Sequence, residues 1–264
     1  MIYDQHKLIH IAIPKTGTTG LFKMIHGVPA DLPPPSTGGH GVGAHRRRQH
    51  QGDVRRQHQG DIFRTVEGRP IYRGHPLFDF YKHGHYSVKS YEKMIAEYPQ
   101  YKKYKFFTFT RNPYDLMVSK YFYLARGADI AQCQLPEKSF KNFIRLFMVT
   151  APDCEADHMT QVDYLKNTAG KIEIDFIGKL ENFENDWNKL RELAPTLPDY
   201  DSEYRQCNAS KKRSFLKNRS DFTEMYDLET QHLVLKHFEE DFDTFKYPKF
   251  FPLPAAPFKW HADF

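Results

Sequence analysis

Lys15 stands in a short polar run, Pro14-Lys15-Thr16-Gly17-Thr18-Thr19, whose residue types suit an anion. The lysine brings a full charge, the threonines bring hydroxyl donors, and Gly17 lets the backbone turn so that its N–H groups face one point. Arg111 and Ser119, eight residues apart, form a second such set. A guanidinium can grip a phosphate with two parallel hydrogen bonds, and a hydroxyl adds a further donor. The chemistry on offer is the holding of two phosphate-like groups.

Each set needs elements to position it, and the surrounding patterns supply them. Residues 8–13 alternate and cluster apolar side chains over a strand's length, while Leu21, Phe22 and Ile25 after Thr18 have helical spacing. The first set therefore reads as strand, tight loop, helix, with the positive end of a helix dipole at the loop. The run KFFTFT at 105–110 is a second strand; Arg111-Asn112-Pro113 turns the chain, and Pro113 suits the first turn of a helix with Leu116, Met117, Tyr121 and Leu124 on one side. A helix over 91–98 is capped by Ser87 or Ser90 and limited by Pro99. Further helices are expected over 139–149 and 157–165, a third strand over 172–177, and then a helix from about Gly178 to about Leu193. A last long helix over 223–245 should turn Leu228, Leu233, Leu235, Phe238 and Phe242 inward. Strands separated by helices predict an α/β fold: one domain, 1–264, with a central parallel sheet flanked by helices.

The first loop departs from the common nucleotide loop G-x-x-x-x-G-K-[ST], because Lys15 precedes Gly17 and no loop glycine precedes Lys15. It resembles instead the 5′-phosphosulfate loop of sulfotransferases that use 3′-phosphoadenosine 5′-phosphosulfate (PAPS). Arg111-Asn112-Pro113 with Ser119 resembles the 3′-phosphate motif of the same family. His83-Gly84-His85 and the run RNPYDLMVSKYFYLARG are similar to the heparan sulfate 2-O-sulfotransferase branch, and DFIGKLENFENDW and Asn208-Ala209-Ser210-Lys211-Lys212 to carbohydrate sulfotransferases more broadly.

The resemblance implies PAPS as co-substrate, no metal, and in-line sulfuryl transfer to a hydroxyl of a carbohydrate. Lys15, Thr16, Gly17, Thr18 and Thr19 would hold the 5′-phosphosulfate, Arg111 and Ser119 the 3′-phosphate, and Ser210 and Lys211 a loop over the nucleotide. Lys15 would also meet the charge that develops on the leaving oxygen. His85 is the matched general base and His83 the alternate, imidazole being suited to that work near neutral pH. Spacing leaves the two open, since residues two apart share a face of an extended chain.

Composition agrees with an enzyme that handles acidic molecules. Of 264 residues, 22 are Phe and 16 Tyr, enough for a core and for surfaces that stack on rings, and the formal charge is +5. Cys133, Cys154 and Cys207 form no motif, which favours a reducing compartment. No apolar run approaches the roughly 18–20 residues of a membrane span, and no signal peptide is visible. The expectation is a cytoplasmic protein, or a Golgi-lumen one if the sequence lacks an anchor, with no nucleic-acid partner. Asn208 and Asn218 sit in glycosylation acceptor triplets, read as coincidence without a secretory signal.

Residues from about 33 to 69 read as an insert, rich in Pro and Gly and then in Arg and His. Within it, 47–54 and 55–62 repeat RRQHQGD, with Val54 replaced by Ile62. Two copies are too short for a solenoid, and a tandem duplication in a surface loop is the simpler account. Such a stretch could grip a polyanion. His45, His50 and His58 lack the carboxylate or cysteine that would make a metal site. Two other classes stay in view, a P-loop kinase or NTPase and a non-enzymatic polyanion binder, as does a small-metabolite acceptor.

Overall fold

The computed structural model describes residues 1–27, 63–64, 70–71, 77, 80, 84–124, 139–149, 159–206 and 222–253. His83, Ser210, Lys211, Lys212, the three cysteines, both glycosylation triplets and the duplicated stretch lie outside them.

The chain begins with β1 (Ile2–Tyr3), turns, and returns as β2 (Leu8–His10). α1 (Thr18–His26) follows, and then a small antiparallel pair, β3 (Phe63–Arg64) and β4 (Pro70–Ile71). α2 (Val88–Glu97) leads through a 3-10 turn into β5 (Lys105–Thr110) and α3 (Pro113–Leu124). α4 (Phe140–Val149) and the short α5 (Gln161–Leu165) precede β6 (Phe176–Lys179). α6 (Phe183–Leu193), α7 (Leu228–His237) and α8 (Glu239–Phe245) complete the order.

The main sheet runs β1-β2-β5-β6. β2 and β5 are parallel, with Leu8 opposite Lys105, and β5 and β6 are parallel, with Thr110 opposite Lys179. Only β1, at the edge, is antiparallel. Alternation of side chains then sorts the core into two layers. Ile9 and Ile11 face a cluster that includes Tyr91, Tyr114, Met117, Ile144, Val162 and Phe238. Leu8, Ala12, Phe107 and Phe109 face Leu21, Phe22, Trp187 and Leu190, from α1 and α6. Each such buried side chain contributes roughly 1.5–3 kcal/mol, so both faces of the sheet are anchored by apolar burial. The expected α/β fold, a mostly parallel sheet covered by helices, is the one observed.

Several elements differ from the sequence reading. The helix expected from about Gly178 begins at Phe183, because Gly178 and Lys179 belong to β6. The one expected from 223 begins at Leu228, after a 3-10 turn over Phe222–Met225. The third strand lies at Phe176–Lys179 rather than 172–177. Ile172 makes only an isolated bridge to Lys166, the chain bends at Asp175, and the Asp175 carboxylate accepts from the Phe106 N–H at 2.8 Å, so backbone pairing to β5 begins only at Phe176. The last helix is two helices, broken at Phe238, whose φ of −104° and ψ of 22° end α7 and start α8. Leu228 is exposed at the start of α7, and Val234 fills the inward position instead. Leu233 and Leu235 are half-buried, while Phe238 and Phe242 are inward as expected.

Candidate active site

The loop after β2 is closed by its own side chains. Thr16 is buried, and its Oγ1 donates to the Ile13 carbonyl at 2.9 Å, which turns the chain back over the strand end. That commits the hydroxyl proton of Thr16, so its contribution to an anion would be its N–H. Lys15 and Gly17 both take left-handed backbone, with φ of 68° and 81°. Gly17 suits this freely, whereas a lysine there is uncommon and must be held by its surroundings. α1 starts at Thr18 with Gly17 as N-cap, so no helical carbonyl can reach its first N–H groups, and the dipole favours negative charge in front of them.

Arg111 follows β5 directly, and both its backbone and its side chain are held. It is 8% exposed. Its Nε donates to Asp115 at 2.7 Å, one helical turn on, and its Nη1 donates to the Lys15 carbonyl at 2.9 Å. The second contact joins the two loops across adjacent strands. The fork expected for a phosphate is therefore part structural, with Nη2 and the second Nη1 proton left to meet a ligand. The Arg111 backbone is held by Gln161, whose Oε1 accepts from Arg111 N and whose Nε2 donates to Arg111 O, both at 2.8 Å. Gln161 is held in turn by Asp241, which also accepts from the Val162 N–H. Asp241 is fully buried, and burial raises its carboxyl from 3.8 to about 6. Asn112 donates its N–H to Glu181 at 2.6 Å and caps α3 through Oδ1 to the Tyr114 N–H. Pro113 at the first position needs no partner for a missing N–H.

Along α3, Asp115, Ser119 and Tyr123 recur every four residues and so line one face. Asp115 and Ser119 are half-buried, and Tyr123 is 58% exposed. The Lys15 ammonium lies over the Tyr123 ring, 4.2 Å from its centroid.

His85 is exposed just before α2, and its Nδ1 lies 2.6 Å from the Ala12 carbonyl. A carbonyl can only accept, so Nδ1 carries the proton and Nε2 is the basic nitrogen. The arrangement ties His85 to the segment that runs from β2 into the Lys15 loop.

Lys15, Thr16, Gly17, Thr18, Thr19, Arg111, Ser119 and His85 are thus carried by segments that follow β2 and β5 or touch them. In open α/β sheets, ligands bind outside the carboxyl ends of the strands. Asp115, Gln161, Asp241, Glu181 and Tyr123 were not singled out from sequence. Asp115 and Tyr123 had a local signal, at four residues from Arg111 and from Ser119. Gln161 and Asp241 had none, lying 50 and 130 residues beyond Arg111 in the chain. A cavity of about 290 Å³ lies along α2, lined by Phe80, Tyr86, Ser90, Met94 and Tyr98, among others, and so begins one residue beyond His85.

A mostly parallel sheet flanked by helices, with a lysine loop and an arginine loop leaving one end of it, defines an α/β protein. The chain matches the sulfotransferase family model over residues 1–248 and belongs to that family. Its general activity is accordingly sulfuryl transfer to an acceptor hydroxyl. No curated protein and no solved structure matches the chain in the same comparisons. Among the described residues, no helix is long and apolar enough to cross a membrane.

Proposed function

We propose that this protein transfers the sulfuryl group of PAPS to a hydroxyl of a carbohydrate, with His85 as general base. The observation that carries the reading is the bond from Arg111 Nη1 to the Lys15 carbonyl, which couples two anion-binding loops on neighbouring parallel strands. Two coupled loops suit a donor with two separated phosphate groups better than they suit a single anion. The donor set fits chemically: Lys15 and the first-turn N–H groups of α1 for the 5′-phosphosulfate, Arg111 and Ser119 for the 3′-phosphate. PAPS supplies an activated sulfuryl group.

The chain's own residues supply positioning, proton transfer and charge. His85 Nε2 takes the proton of the acceptor hydroxyl as its oxygen bonds to sulfur, while Nδ1–H stays on the Ala12 carbonyl and keeps the tautomer. Lys15 and the α1 N–H groups meet the negative charge left on the 5′-phosphate oxygen when its bond to sulfur breaks. Electrostatic stabilisation of that kind is usually the largest single contribution to such transfers. His83 as alternate base, and Ser210 and Lys211 as a closing loop, belong to the same proposal. The heparan sulfate 2-O branch suggests a uronic acid hydroxyl as acceptor, in keeping with the +5 charge.

The test has two arms. Radiolabelled PAPS offered with a panel of polysaccharides and with small hydroxyl metabolites should label a polysaccharide. Lys15→Ala and Arg111→Ala should abolish transfer, and His85→Ala should lose turnover while still binding nucleotide. Calorimetry should detect adenosine 3′,5′-bisphosphate without Mg²⁺. Binding of Mg-ATP alone would favour a kinase or NTPase, and undiminished transfer by Lys15→Ala would sink the role of the loop.

A further inference from the structure

The segment that leaves β5 holds Lys15 both at its backbone and at its ammonium. At the backbone, the Arg111 guanidinium takes the Lys15 carbonyl at 2.9 Å and fixes the residue in its left-handed conformation. At the other end, the ammonium lies 4.2 Å from the centroid of Tyr123, three turns along α3. A cation over the face of a tyrosine is attracted by the ring quadrupole. Tyr123 is one of the few large apolar side chains among the described residues that is mostly exposed, at 58%, so the core does not need it. It lies one turn beyond Ser119 on the same face of the helix, and Asp115, which holds Arg111, is one turn before Ser119. One helical stripe therefore carries the anchor of the lysine's carbonyl and the rest of its ammonium.

We infer that Tyr123 is a positioning residue: its ring holds the Lys15 side chain extended along α3, so that the charge is in place before an anionic donor arrives. A lysine with four rotatable bonds loses freedom when it binds a phosphate, and a side chain already ordered loses less. The ring face and the phosphate can be shared, because an ammonium has three donors and the contact with the ring uses its charge rather than one directed bond. The inference rests on the proposed donor for its functional consequence, and on the geometry alone for the contact itself.

Two measurements separate these. In protein whose lysines are reductively dimethylated with ¹³C, which keeps the charge, the Lys15 methyl resonance is assigned by Lys15→Arg. It should be shifted upfield by the ring current in the wild type and in Tyr123→Phe, and should return to the ordinary lysine position in Tyr123→Leu. An ordinary position in the wild type overturns the inference, whatever the donor is. Calorimetry with adenosine 3′,5′-bisphosphate then reads the consequence. Tyr123→Leu should weaken binding about three- to fivefold, the size expected of a cation–π contact at an exposed site, and Tyr123→Phe should restore it. In a Lys15→Met background, Tyr123→Leu should have no further effect. An equal loss in both backgrounds, or a loss in Tyr123→Phe as large as in Tyr123→Leu, overturns the positioning role. A wild type that binds no bisphosphate but keeps the shifted resonance refutes the donor and leaves the lysine hold standing.

Discussion

Arg111 is positioned by an amide and the amide by a carboxylate, so an ionisable group stands directly behind the site. Gln161 brackets the Arg111 backbone, and Asp241 accepts from the Gln161 side chain and from two backbone N–H groups. Burial raises the Asp241 carboxyl to about 6, against the opposing pull of those N–H bonds. A carboxyl whose folded value lies above its unfolded one binds its proton more tightly when folded. Its contribution to stability is full below its unfolded value of 3.8 and is lost as pH rises through about 6. Asp241→Asn removes that titration. The unfolding free energy of the wild type minus that of the variant should fall by on the order of 2 kcal/mol between about pH 4 and about pH 7, measured by urea titration. A difference that does not change with pH would put Asp241 at its ordinary value. Lys15, Arg111 and His85 were legible from sequence because each sits within a few residues of the turn that aims it. Gln161 and Asp241 were not, because an amide and an acid on ordinary helices acquire meaning only through contacts across 50 to 80 residues.

α1 depends on a close approach of the same non-local kind. A Cβ on Gly20 would lie 2.2 Å from the backbone carbonyl oxygen of Tyr204, in the 3-10 turn Ser202–Gln206. A backbone atom cannot rotate away as a side chain can, so Gly20→Ala must push the turn off the helix that begins at the Lys15 loop. The expected cost is roughly 1–3 kcal/mol, read as a lower urea midpoint with an unchanged slope. An unchanged midpoint would mean that the turn does not rest on α1 in solution. At this scale the sequence was informative wherever local pattern decided the element. The bounds of β5, the start of α1 and the proline-led start of α3 follow from β-branched and aromatic runs, apolar spacing and Pro113. It misled where a partner decided. Residues 172–177 have strand composition, yet pairing waits until Phe176 because Asp175 has taken the preceding N–H of β5. The break at Phe238 is one residue of non-helical backbone, which an apolar period running through it does not register.

For the molecule as a whole, the layering turns two distant motifs into neighbours. β2 and β5 are parallel and adjacent, so the loops that follow them leave from the same end of the sheet. Both layers of the core press on the strands that carry them. A ligand that spans both loops should therefore bind more tightly than a lone anion held at one loop, and stabilise the fold by correspondingly more at a given concentration. Adenosine 3′,5′-bisphosphate at about a hundred times its dissociation constant should stabilise the folded state by about 2.7 kcal/mol. For a chain of this size that raises Tm by roughly 5–10 °C. Inorganic phosphate at the same concentration should give a much smaller rise. The decisive comparison is between loops. If the ligand bridges them, Lys15→Ala and Arg111→Ala should each remove most of the shift, because each leaves one phosphate group without its cation. Arg111→Ala should remove at least as much as Lys15→Ala, since it also releases the Lys15 carbonyl. A variant that keeps the full shift would identify its loop as a bystander and reduce the site to a single anion pocket.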